Sequence, residues 1–143
     1  MTVTADDIYA LAPYARTLGV RFTALSAEGV DAELDFVPEL STAGGGLHGG
    51  ALMGLADVAS AVCAALNGPA GAVPATTTST THFLRPVREG TAYAKARVLR
   101  VGRDTAVVEC DIEDERHRLC TRVTQTVSVR VPGGGNVTAS VPG

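Results

Sequence analysis

Asp57 stands inside residues 51–66, ALMGLADVASAVCAAL, a segment otherwise free of charge and rich in small apolar side chains. A carboxylate in such surroundings is costly to bury without partners. It must accept hydrogen bonds, carry a proton or face a cleft. A carboxylate held this way suits a general base or a nucleophile. The other reading is a structural aspartate that ties a loop to its helix, and the segment alone weighs the two evenly. Nine residues earlier, His48-Gly49-Gly50 falls where a helix should begin. Free N–H groups there, with the positive end of the helix dipole, attract an oxyanion. Gly49 and Gly50 have no side chains, so a carbonyl group can come close to the backbone. Along one helix His48 and Asp57 would lie about 13 Å apart. They serve different parts of a site, or they meet across two subunits. Taken alone, a His-Gly-Gly triplet is usually a turn.

Other candidates are weaker. Arg85, Arg88 and Arg103 could meet phosphate groups, because a guanidinium matches phosphate geometry; the alternative for each is a solvated surface arginine. His82 reads as a packed or surface histidine. Cys63 reads as an inert core residue. There is no HxxH, HExxH or Cys/His cluster, so no metal is expected. Gly44-Gly45-Gly46 is not a phosphate-binding loop, since no Gly-Lys-Ser or Gly-Lys-Thr follows.

The elements that would position these residues follow from periodicity. Residues 51–66 are apolar on every face and alanine-rich, which predicts a buried helix closed by Asn67-Gly68-Pro69. Residues 6–18 predict a short amphipathic helix, capped by Thr4 or Asp6, split or kinked at Pro13 and ended by Gly19. A short strand is expected at 20–25. Val30, Ala32, Leu34 and Phe36 alternate with acidic residues, the mark of a half-buried strand that Pro38 ends. Residues 41–50 form a glycine-rich loop. Strands are expected at 73–84, 91–101, 105–113 and 119–131, with turns at 102–104 and 115–117. The last strand should place Val123, Val127, Val129 and Val131 on one face. Strands polar on one face make an antiparallel sheet with one wet side. One apolar helix wrapped by that curved sheet would bury both. So thin a shell favours pairing with a second copy, and symmetric dimers are the commonest oligomers.

Composition sets the outer bounds. The chain has 143 residues, 45% apolar and 19% charged, a net charge of −3 and a pI near 5.5. This fits one domain over residues 1–131 with a flexible tail at 132–143. An acidic balance without a basic face argues against nucleic acid. Residues 51–66 are short for a membrane span and carry Asp57. Three cysteines with no CxxC, and an N-terminus without a long apolar run, suggest a reducing compartment, the cytoplasm.

The run LHGGALMGLADVASAVCAAL resembles the signature of the PaaI-type hotdog thioesterases: HGG, a spacer, then LAD and small residues. HFLRPVREGTAYAKARVLRVGRDTAVVECDIED is similar to the same family's FLRP, glycine, alternating strand and Gly-Arg turn, in the same order. The resemblance spans roughly residues 18–131. It implies an α+β hotdog fold, a curved antiparallel sheet around a long central helix, in homodimers that assemble into homotetramers. It implies hydrolysis of an acyl-CoA thioester at a dimer interface, with coenzyme A as part of the substrate and no separate cofactor. By position, Asp57 would activate water or attack the thioester, and the Gly49 N–H would polarise its carbonyl. His48 would help position the thioester or the loop. Thr76, on a strand of the neighbouring subunit, would help hold the water, and Arg85 and Arg103 would meet CoA. One position departs: Thr42 stands where many relatives carry Asn or Gln, and Ser41 or Thr42 could substitute. That departure supports a second reading, a non-catalytic acyl-CoA-binding or ligand-sensing domain. A hotdog dehydratase or hydratase would place Asp and His in a different motif.

Overall fold

The structure, a computed structural model, describes residues 2–133. The expected tail at 132–143 therefore falls almost wholly outside the described residues.

Two short helices come first, α1 (Ala5–Leu11) and α2 (Pro13–Leu18). Thr4 caps α1 in a reciprocal box with Asp7. Pro13 opens α2, so the expected helix is split there rather than kinked. Gly19 ends α2 at φ 98°, a conformation other residues rarely adopt. Strands β1 (Arg21–Ser26) and β2 (Gly29–Asp35) form a hairpin. The central helix α3 (Gly49–Asn67) follows, and then β3 (Val73–Phe83), β4 (Thr91–Val101), β5 (Thr105–Glu113) and β6 (Leu119–Arg130). The six strands make one antiparallel sheet in the order β1-β2-β4-β5-β6-β3. Both β1 and β3 are therefore edges.

Alternation sorts the strand residues as expected. Ala92, Ala94 and Ala96 of β4 and Ala106, Val108, Cys110 and Ile112 of β5 are buried against α3. The outward row carries charges paired across strands, such as Arg97 with Glu109 and Arg122 with Asp111. Strand β6 departs from expectation. Its buried row is Val123, Gln125, Val127 and Val129, while Val131 lies beyond the strand and is exposed.

Helix α3 also departs. It begins two residues earlier than expected because His48 caps it. At 19 residues it reaches the length of a membrane span, so packing rather than length distinguishes it. Ala51, Leu52, Leu55, Ala56, Ala59, Cys63 and Ala64 bury one face against the sheet. The opposite stripe is not buried: Met53 is 41% exposed, Asp57 is exposed, and Gly54, Val58 and Ala61 are half-covered. A helix apolar all round thus leaves one side open in the single chain. The expectation of a helix buried on every face is corrected accordingly.

Candidate active site

The start of α3 is built by the loop before it. Ser41 and Leu47 bridge the loop's two ends, and Gly46 O accepts from the Thr42 N–H at 2.9 Å. The His48 N–H donates to Leu40 O at 2.8 Å, which fixes the cap residue. His48 Nδ1 then accepts the Gly50 N–H at 2.8 Å. That nitrogen is committed as an acceptor, so only Nε2 remains for another partner. The Gly49 N–H, at the first helical position, has no acceptor among the described residues. It is a free donor at the positive end of the dipole.

Gly49 is crowded from one side. A Cβ there would lie 3.1 Å from the ring of Phe83, at the end of β3. Gly49 and Phe83 line a shallow groove of about 320 Å³ with Leu47, Leu52, Leu84, Arg85 and Pro86. Arg85 also borders a neighbouring cleft of about 500 Å³, which holds Arg88, Arg116 and Arg118 among acidic residues. Arg103 lies elsewhere. It sits in the β4–β5 turn beside Asp104, whose carbonyl accepts the Val129 N–H, and Val129 pairs with Pro74 at the start of β3. The length of β3, about 30 Å, separates that turn from Arg85. The structure does not bring the two arginines together within one chain.

Asp57 projects from the open stripe of α3 toward β3. Thr76 Oγ1 donates to its Oδ1 at 2.7 Å. The expected hydroxyl is present, but it comes from this chain's own strand rather than the neighbour's. A bulge between Thr76 and Thr78 makes the contact possible. Thr76 pairs with Val127 and Ser79 with Gln125, so both point inward with the extra residue, Thr77, between them. Gln125, 1% exposed, touches both hydroxyls. Sequence reasoning missed it. The only signal was a polar residue in the inward slot between Val123 and Val127.

Eight residues separate Gly49 from Asp57, about 12 Å along the helix axis. The donor and the carboxylate are therefore too far apart in one chain to grip one carbonyl carbon. Among the described residues Thr42 donates no side-chain hydrogen bond; its backbone closes the loop instead. The cysteines offer no nucleophile. Burial pushes the Cys110 thiol up to about 12 and raises Cys63 and Cys120 as well. Among the described residues, no three His, Cys, Asp or Glu side chains cluster as metal ligands.

Comparison with known proteins decides the family. The sequence profile of the thioesterase superfamily matches residues 44–121, which contain the helix cap, Asp57, Thr76 and Arg103. The chain belongs to the thioesterase superfamily. A Mycobacterium tuberculosis protein provisionally named an esterase is 30% identical over 114 residues, covering 77% of this chain and 81% of its own. A solved thioesterase from Haemophilus influenzae superposes with a TM-score of 0.83 at 26% identity, covering 92% of this chain and 93% of that one. The PaaI protein of Escherichia coli, from the phenylacetic acid degradation operon, shares the fold with a TM-score of 0.80 at 23% identity, over 88% and 90% of the chains. This thioesterase-superfamily chain accordingly has the hotdog fold, an antiparallel sheet packed on one long helix, and shares that fold with PaaI.

Proposed function

We propose that the protein hydrolyses acyl-CoA thioesters to a carboxylic acid and free CoA, in a site that two copies of the chain build together. The contact between Asp57 and Thr76 carries this reading. One carboxylate oxygen is held by a hydroxyl at 2.7 Å, on the stripe of α3 that the chain's own sheet leaves open. The other oxygen is left for water or substrate. A second copy seated on this stripe and on the edge strand β3 would withdraw Asp57 from solvent. It would also bring up Gly49 of the partner subunit as the oxyanion donor that one chain cannot supply.

In that site Asp57 takes a proton from water as the water oxygen bonds to the thioester carbon. The carbonyl oxygen becomes an oxyanion facing the Gly49 N–H, a donor worth roughly 2.7–4 kcal/mol in such sites. Collapse of the tetrahedral intermediate breaks the C–S bond, and the proton on Asp57 passes to the departing sulfur. Direct attack by Asp57 on the thioester carbon breaks the C–S bond, expels the CoA thiolate and leaves a mixed anhydride; water opens it, freeing the acid and the Asp57 carboxylate and supplying the proton the thiolate takes up. His48 positions the loop, since its Nδ1 is already spent on Gly50. Arg85 meets a CoA phosphate beside the Gly49 groove; Arg103 reaches the same nucleotide only from another subunit. Homodimers pair into a homotetramer. Three unpaired cysteines suit the cytoplasm.

Thiol release is measured with acetyl-, hexanoyl-, palmitoyl- and benzoyl-CoA for wild type, Asp57→Ala and Asp57→Asn. Loss of on the order of 100-fold or more in both variants, with folding and assembly intact, supports the reading. Tight binding without turnover in wild type would favour the acyl-CoA-binding domain instead. The absence of an amide at Thr42 is the observation behind that second reading.

A further inference from the structure

Gln125 is a carboxamide buried in a row of valines, which is costly unless its polar atoms are bonded. Its two ends meet two hydroxyls of β3. Thr76 Oγ1 lies 3.4 Å from Oε1, and Nε2 lies 3.1 Å from Ser79 Oγ. Thr76 Oγ1 in turn lies 2.7 Å from Asp57 Oδ1. The bulge at Thr77 sets Thr76 and Ser79 on the same face, so four groups form one file from the strand edge to the carboxylate.

A threonine hydroxyl has one proton to give. When Asp57 is ionised, that proton goes to Oδ1, and the Thr76 oxygen then needs a donor from Gln125. Turning the amide end for end supplies it: Nε2 donates to Thr76, and Ser79 donates to Oε1. When Asp57 carries the proton, the file runs the other way. Asp57 donates to Thr76, Thr76 donates to Oε1, and Nε2 donates to Ser79. An amide satisfies both directions because its ends have the same shape and opposite polarity. A methionine satisfies neither, and an ionised glutamate would compete with Asp57 for the Thr76 proton.

We propose that Gln125 is a positioning residue for thioester hydrolysis, keeping the Thr76 hydroxyl bonded to Asp57 whether that carboxylate is charged or holds the proton taken from water. This rests on Asp57 being the reacting carboxylate. Gln125 itself touches no substrate and acts through Thr76.

The test uses the best-cleaved of the four acyl-CoAs. The kcat, KM and Tm are measured for Gln125→Met, Thr76→Val, the double variant and Ser79→Ala. Gln125→Met is expected to lower kcat roughly tenfold at unchanged KM, and the double variant to be no slower than Thr76→Val alone. Ser79→Ala, at the exposed edge, is expected to lower kcat about threefold. A wild-type kcat in Gln125→Met overturns the proposal, as does a double variant in which the two losses multiply. If Gln125→Met does not fold, Ser79→Ala decides, and an unchanged kcat there overturns it. Asp57→Asn is run beside them. Its inactivity next to a fully active Gln125→Met overturns this inference alone; its full activity overturns the reading beneath it.

Discussion

Thr76 and Gly49 each offer the proposed chemistry one group that a single substitution removes. Thr76→Val deletes the hydroxyl on Asp57 and keeps the shape of the side chain. A hydrogen bond to a charged group is worth about 1.5–3 kcal/mol, so kcat should fall roughly 10- to 100-fold, and Thr76→Ser should restore most of it. Steady-state kinetics on the three proteins checks this. Gly49→Pro removes the free N–H at the first helical position, where proline is tolerated. His48 already has φ −59° and ψ 138°, the extended backbone a following proline requires. The new ring atoms press on Phe83, which is half-exposed at a strand end and can turn aside. The variant is expected to fold, shown by an unchanged circular dichroism spectrum, and to lose about 100- to 1,000-fold in kcat.

At the scale of elements, the β5–β6 turn carries a measurable pH dependence. Asp114 Oδ1 accepts the N–H groups of Arg116 and Arg118 at 3.0 Å, and Oδ2 accepts Arg118 Nε at 2.8 Å. Removal from water pushes this carboxyl up, but the Arg118 and Arg116 donors outweigh it and hold it at about 2. A depressed carboxyl contributes stability above its unfolded value near 4, and loses it as the pH falls toward 2. Asp114→Asn should therefore lower Tm at neutral pH, with the gap to wild type closing between pH 4 and 2 in thermal melts. The strands were legible because alternation marks a sheet with one wet side. The 91–101 and 105–113 segments match β4 and β5 at both ends. The bulge at Thr77 was not legible, since a run of threonines has no alternation to break. Gln125 was hidden for a related reason: a polar residue in an inward slot shows its purpose only when its cross-strand neighbours are known. Helix α3 was legible as a helix, but its open stripe was not, because apolar composition does not say whether the cover comes from the same chain.

At the scale of the whole molecule, that stripe and the edge strand β3 are where a second copy should sit. Met53, 41% exposed about one turn before Asp57, is the point to disrupt. Met53→Glu should produce monomers by light scattering and abolish thiol release, while the core behind Leu52 and Leu55 stays intact. The most direct test of a shared site mixes two inactive chains, Asp57→Asn and Gly49→Pro, by refolding them together. If the carboxylate of one subunit works with the donor of the other, each mixed dimer regains one whole site, and thiol release returns to about a quarter of wild type. If each chain must supply both groups itself, the mixture stays as inactive as its parents, and the two-chain account is wrong.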